Sequence, residues 1–224
     1  MQTRIIGLQF AFFLRDIVNR PDQEFGDLNA QLMNVFDGMP QILPIPPELP
    51  AEVPVIMLRS ENSIYSCNIS RSRIDFFLNR KNDDVSNLEM LKDFNLKVAG
   101  LTKYILDKQE VIRFGMVARY FHSDPNALTT LQNKFFTQAV DGTCELSLRF
   151  NKKSDAFGYK INDIHEISSA KIDQNNHESQ GILIQRDINN DLLAGKHLDY
   201  ETLSKLSQQY SGNISEAEIE GLIK

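Results

Sequence analysis

Arg4-Ile5-Ile6-Gly7-Leu8-Gln9-Phe10-Ala11-Phe12-Phe13-Leu14 is the stretch on which the fold turns. Ile6, Leu8, Phe10 and Phe12 recur at period two, which puts them on one face of a β-strand. The run sits behind Arg4, as the apolar part of a signal peptide would. It is succeeded at once by Arg15-Asp16 and contains no small-x-small cleavage site. A buried first strand is therefore expected. No apolar run approaches the ~18 residues a membrane-crossing helix needs.

A second stretch, Val111 to Phe121, repeats the pattern, with Ile112, Phe114, Met116 and Ala118 alternating. The residues after each strand are also alike. Pro21 suits the first turn of a helix, carried on through Phe25, Leu28, Leu32, Val35 and Phe36 and ended by Asp37-Gly38. Asp124-Pro125 reads as an N-cap and first-turn proline before a helix through Leu128, Leu131, Phe135 and Phe136 to about Ala139. Three strands are then expected in each half: Val55–Arg59, Ile64–Ile69 and Ile74–Leu78 in the first, and Thr143–Asn151, Tyr159–Lys171 and Gly181–Arg186 in the second. The short connections require antiparallel hairpins. A closing helix comes after each set. Ser86-x-x-Glu89 is a capping box, with Val85 and Met90 placed as a staple, and Leu88, Leu91, Phe94, Val98, Leu101 and Ile105 form its stripe. Asp199 caps the second closing helix, and Ser215-x-x-Glu218 is a capping box for a short last one.

The order β-α-β-β-β-α thus occurs twice, in residues 1–108 and 109–224. Residue identity between the halves is poor, so the repeat is one of pattern. An α+β fold is expected, with antiparallel sheets covered by helices. Two such units side by side resemble a TATA-binding-protein-like saddle in shape, a likeness that carries no function by itself.

The composition agrees with a folded chain. There are 224 residues, 42% hydrophobic and 24% charged, and 24 Lys+Arg against 30 Asp+Glu give a net charge of −6. That excludes collagen, a long coiled coil and a wholly disordered chain. Net acidity also argues against a dedicated nucleic-acid binder. With 14 Phe and no Trp, the core is expected to be Phe, Leu and Ile. Cys67 and Cys144 form no Cys-x-x-Cys pair and no disulfide framework. Both are expected in strands, and a reducing cytoplasm is the expected location.

Between the first helix and the first hairpin lies a Pro-rich passage with Pro40, Pro44, Pro46, Pro47, Pro50 and Pro54. Proline lacks the N–H and fixes φ, so an extended surface crossover is expected. Pro44-x-x-Pro47 and Pro47-x-x-Pro50 could suit a proline-recognition domain, but Glu48 and Glu52 flank them and no base does.

This passage and the strands after it carry a resemblance. Ile45-Pro46-Pro47-Glu48-Leu49-Pro50, then Pro54-Val55-Ile56-Met57-Leu58, then Ile64-Tyr65-Ser66-Cys67-Asn68-Ile69-Ser70-Arg71-Ser72-Arg73-Ile74-Asp75-Phe76 resemble a sporadically distributed family of uncharacterised bacterial proteins of similar length. The family's usual Trp residues are absent here. The resemblance implies the order of elements and no reaction. The family's scattered occurrence suggests mobile elements or defence systems.

No chemistry-bearing spacing stands out. His122 ends a strand beside the capping Asp124, and His165 and Glu166 alternate to opposite faces of a strand. His177 falls in a polar loop, and His197 precedes a helix cap. None has zinc-ligand spacing. Asp187-x-Asn189-x-Asp191 imitates a calcium loop, but Leu192 and Leu198 replace its Gly and Glu, so a loop tip is expected. There is no phosphate-binding Gly-rich loop and no Gly-x-Ser-x-Gly elbow. Asp83-Asp84 precede a helix, where its dipole favours them. The one basic patch is Arg59, Arg71, Arg73, Arg80 and Lys81, near Tyr65, Phe76 and Phe77. It is either an anion or nucleic-acid contact or a set of solvated strand ends.

No cofactor and no metal is expected. The first reading is a non-enzymatic interaction protein, such as one accessory to a bacterial defence or mobile-element system, with a protein partner or self-association. The second is a small-molecule or lipid pocket protein or enzyme. The third is nucleic-acid binding through a saddle.

Overall fold

A computed structural model describes residues 3–44, 48–82, 84–137, 142–174, 177–193 and 196–223. The fold is α+β, with one antiparallel sheet of nine strands. Its strands are β1 (Thr3–Leu14), β2 (Gln41–Ile42), β3 (Ile56–Arg59), β4 (Tyr65–Ile69), β5 (Arg73–Asn79), β6 (Val111–Ser123), β7 (Ser147–Ala156), β8 (Tyr159–Gln174) and β9 (His177–Asn190). Their spatial order is β2-β3-β4-β5-β1-β6-β9-β8-β7. The two Phe-rich stretches lie side by side at the centre, with Phe10 opposite Met116 and Phe12 opposite Phe114.

The helices are α1 (Pro21–Glu24), α2 (Leu28–Gln31), α3 (Asn87–Leu106), α4 (Ala127–Phe135), α5 (Tyr200–Asn213) and α6 (Glu216–Gly221). They cover one face of the sheet. Phe94 of α3 stacks on Phe76 of β5 at 6.0 Å, and Phe10 stacks on Phe114 at 5.9 Å. Leu101 of α3, Leu131 of α4, Leu206 of α5 and Ile219 of α6 all join the same continuous core. Among the described residues the other face has no such cover. On β6 and β9 the core residues Phe114, Met116, Ala118, Ile184 and Ile188 alternate with half-buried Arg113, Val117, Arg119, Gln185 and Asp187. This is the alternation expected of an antiparallel sheet with one face turned to water.

Local structure departs from the expected pattern in several places. β1 is a strand, but its pairing with β6 shifts between Ile5 and Gly7. An extra residue there reverses the facing, so Ile5 is fully buried and Ile6 only half so. The helix expected over 21–36 is two single turns. A Cβ on Gly26 would stand 2.8 Å from Asp22 O, and Met33 and Asn34 take positive φ. The side chains of Phe25, Leu28, Leu32 and Phe36 still reach the core. Gln41 and Ile42 of the Pro-rich passage pair with Met57 and Ile56, so part of it is a strand.

Caps behave unevenly. Ser86 and Glu89 form both bonds of the capping box. Val85 stays 42% exposed and Leu88 61% exposed, so neither takes the buried role its spacing suggests. Asn126, not Asp124, is the residue before α4. Asp124 instead accepts from Asn126 N at 2.8 Å and Thr130 Oγ1 at 2.6 Å. Asp199 accepts from Thr202 N at 2.7 Å as a cap, whereas Ser215 makes no side-chain cap bond. Cys67 is buried in β4, while Cys144 is exposed and precedes β7. Residues 45–47, Asp83, 138–141 and 175–176 lie outside the described residues. So do the Pro46 and Pro47 parts of the crossover and the helix end at Ala139.

Core and open-face phenylalanines should differ sharply on truncation. Phe10→Ala removes a fully buried ring and is expected to cost about 3–5 kcal/mol in denaturant unfolding. Phe13→Ala, on the half-exposed side of the same strand, should cost less, about 1–2 kcal/mol, since part of its ring is already in water. Equal losses would contradict the assignment of faces.

Candidate functional site

Alternation along β1 and β6 dictates what the open face displays. On β1 it carries Gln9, Ala11 and Phe13; on β6, Arg113, Gly115, Val117 and Arg119. Phe13 lies opposite Arg73 of β5 on one side and opposite Arg113 of β6 on the other. Both guanidinium carbons sit over its ring, Arg73 Cζ at 4.6 Å and Arg113 Cζ at 5.0 Å from the centroid. The result is a cation–aromatic–cation row across the middle of the sheet, each contact favourable by the ring quadrupole. Arg73 Nε and Arg113 Nε are buried with no hydrogen-bond acceptor.

The bonds these arginines do make are informative. Arg73 Nη2 donates to Asp75 Oδ1 at 2.6 Å, and Gln9 Nε2 donates to the same oxygen at 2.9 Å. Arg113 Nη2 instead donates to an amide, Asn189 Oδ1, at 3.0 Å. The Asp191 carboxylate feels Arg113 electrostatically but is bonded to Asn162 and paired with Lys153. Arg119 donates through Nε to Gln185 Oε1 at 2.8 Å and through Nη2 to Gln9 Oε1 at 3.5 Å. Amide oxygens orient a guanidinium without neutralising it. Two half-buried cations are thus held in place by amides. From β3 to β9 this face presents Arg4, Arg59, Arg73, Arg113 and Arg119 against Asp75 and Asp187. Charge is segregated by face, and the chain's overall acidity does not describe this one. Phe77, half-buried between Gln9 and Ser66, adds an aromatic ring to the same face, four positions along β5 from Arg73.

The basic residues singled out from sequence do not form one patch. Arg59 and Arg73 stand on the open face. Arg80 lies seven positions from Arg73 along β5, about 23 Å at the usual strand rise. Its guanidinium is engaged by Ile5 O at 2.6 Å, Asn87 Oδ1 at 2.8 Å and Val85 O. Lys81 is exposed at the rim of a shallow groove with Ile64, Asn82 and Asp93. Arg71 sits in the β4–β5 turn, where its carbonyl accepts from Val18 N at 2.8 Å.

The histidines do not converge. His122 is buried in β6, with Nδ1 2.7 Å from Thr3 Oγ1, whose hydroxyl donates to Glu220 Oε1 at 2.8 Å. The set has the residue types of a nucleophile–base–acid relay in the wrong order. The hydroxyl proton goes to Glu220, so Nδ1 must be the donor to Thr3, and Thr3 is 1% exposed. It is a clamp of α6 onto β1. Asn87 extends it by bonding Thr3 O, Ile5 N and Glu216.

His165 stacks on Phe150 at 4.7 Å, with Nε2 3.1 Å from Asp163 Oδ1 but off hydrogen-bond alignment. Arg186 grips that carboxylate through two bonds, at 2.8 and 2.6 Å, and also reaches Asn213 O. Burial pushes the Asp163 carboxyl up, but the Arg186 guanidinium and His165 outweigh it and hold it well below the usual range. His177 opens β9. His197 borders a groove at the end of α3 with Asp107, Glu110 and Asp199. Its neighbouring acids are engaged: Asp199 caps α5, and Glu110 pairs with Arg15.

Asp187 and Asn189 lie within β9 rather than at a loop tip, and Asn189 Nδ2 donates to Asp187 Oδ1 at 3.0 Å. Among the described residues no group of three His, Cys, Asp or Glu could hold a metal, and no helix is long and apolar enough to cross a membrane. Burial pushes the Cys67 thiol far up, so it is an inert core residue. Compared with known proteins, the chain matches no family model and no curated sequence.

The Asp163–Arg186 pair sets an acid limit on stability. Because Asp163 titrates below its ordinary value, its contribution is complete above about pH 4 and is lost as pH falls further. Asp163→Asn leaves a buried guanidinium without its counter-charge and should cost about 3–5 kcal/mol at pH 7. Melting monitored from pH 7 to pH 2 should show a flatter acid limb in the variant. Parallel limbs would contradict the role of the pair.

Proposed function

We propose that this chain is a binding protein whose working surface is the open face of the sheet, and that this face takes an anionic ligand. The observation that carries the reading is the pair Arg113 and Arg119, half-buried and oriented by Asn189, Gln185 and Gln9 instead of by carboxylates. A preoriented cation with no bonded counter-charge has given up hydration for a site where an anion would be bound strongly. The groove beside His197 argues less for a small-molecule pocket, since it is open and its Asp199 and Glu110 are engaged as a helix cap and an ion pair.

The strand order supports a further part of this reading, that residues 1–108 and 109–224 are two copies of one β-α-β-β-β-α module. β5 flanks β1 on one side as β9 flanks β6 on the other. On that reading β1 and β6 are equivalent strands meeting at the centre, and the open face is the concave side of a saddle. The central row Arg73–Phe13–Arg113 then lies at the junction of the two modules.

Self-association is a second reading, favoured by β7. This ten-residue strand is exposed at the end of the sheet order, and a free edge of that kind can pair with another chain. Light scattering that gives 25.6 kDa at micromolar concentration would speak against it.

The anionic-ligand reading is tested with heparin as a generic polyanion. Despite its net charge of −6, the wild-type chain should be retained on heparin at low salt and elute as salt rises. Arg113→Gln with Arg119→Gln should pass through, with an unchanged circular dichroism spectrum. Flow-through of the wild type, or equal retention of both, would contradict the proposal.

A further inference from the structure

We infer that the anion taken by the open face is a single-stranded nucleic acid, laid along β6 from the Arg73–Phe13–Arg113 row to Arg119. This rests on the anionic-ligand reading above and names its occupant. Three observations favour it over other anions. The first is shape: Arg113 and Arg119 stand six positions apart on β6, about 20 Å at the usual strand rise, a span that an extended polymer bridges and one compact anion does not. The second is chemistry: the guanidinium planes are fixed against Phe13, and Phe77 lies half-exposed on the same face, four positions along β5 from Arg73, about 13 Å. Bases stack on such planes and rings, which acidic side chains cannot do. The third is charge distribution. The path along β6 has Asp75, which bonds Arg73, to one side, and to the other Asp187 and, further out, Glu166, whose carboxylate bonds both Arg149 and Gln185. One flexible strand can track the basic row between these acids, whereas a duplex would press its second backbone against them.

The arrangement also explains why the arginines are tied to amides. Arg119, Gln185, Glu166 and Arg149 form a hydrogen-bonded line across β6, β9, β8 and β7. Glutamine at its second place keeps Glu166 from neutralising Arg119. The Nε–H groups of Arg73 and Arg113 are buried, and each guanidinium carbon lies over the Phe13 ring.

The test is fluorescence anisotropy of the full chain with labelled twelve-nucleotide dT and rU oligomers between 50 and 200 mM salt. Saturable binding is expected. Two phosphate contacts, from Arg113 and Arg119, the arginines not bonded to a carboxylate, should give a log–log salt slope of about −1.4, at about −0.7 per contact on a single strand. Arg113→Gln should reduce the slope by about 0.7. Phe77→Leu should weaken binding by about 5- to 100-fold without changing the slope, as loss of one stacked base would. Heparin retention with no oligonucleotide binding would overturn the inference and leave the anionic-ligand reading standing. So would polyglutamate binding as tight as the oligomers and indifferent to Phe77→Leu. Tighter binding of a twelve-base-pair duplex would overturn the single-strand assignment. Failure of heparin and oligomers alike would remove both readings.

Discussion

The ladder between β1 and β6 is the interaction on which the rest depends. It joins the strands at the centre of a nine-stranded sheet, and its register places Phe10, Phe12, Phe114 and Met116 on one side together. Because side chains alternate, a slip by one residue would turn every one of them to the other face. The apolar side is then sealed by α3, α5 and α6, with Thr3, His122, Asn87 and Glu220 fastening the ends. Once that side is closed, the polar residues between those fastened ends are displayed on the other. Gln9, Arg113 and Arg119 have nowhere else to go.

That separation gives the open face its character. On the helix side Arg186 is bonded to Asp163 and Tyr104 to Asp27. On the open side Arg73 is bonded to Asp75, whereas Arg113 and Arg119 meet amides. Both arrangements orient a guanidinium, and they differ in whether charge is left over. A buried Arg–Asp pair is a structural device that is costly to break. An arginine aligned by an amide keeps its charge for something else.

Much of the architecture is legible in the sequence because period-two and helical spacing report burial directly. The centre strands, the α3 capping box and the Asp199 cap follow from residue types at fixed offsets. What is not legible is local backbone geometry. The bulge at Ile5–Gly7 exchanges the roles of Ile5 and Ile6, and Gly26 with left-handed Met33 and Asn34 splits one expected helix into two turns. The long reach of β9 is hidden because Asp187-x-Asn189 looks like a turn, although its polar residues are simply the open-face half of an alternating strand. The site escapes a sequence reading for a related reason. Clustering bases along the chain joins Arg73 to Arg80 and Lys81, which a strand holds far apart. The cross-strand row joins Arg73 to Arg113 through Phe13, and only pairing brings them together. One signal is present: Phe12-Phe13 are consecutive apolar residues, so one of them has to face the polar side, and Arg113 and Arg119, an even number of positions apart, share a face of their own strand.

The most direct measurement tracks the arginine Nε–H resonances by NMR while a single-stranded oligomer is added to the full chain. The buried Nε–H groups of Arg73 and Arg113, together with that of Arg119, should shift in parallel and saturate. Those of Arg80 and Arg186, engaged with backbone carbonyls and Asp163, should stay in place. Shifts confined to Arg80 or Arg71, or none at all under conditions of measurable binding, would mean that the ligand is held elsewhere and that the open face is not the working surface.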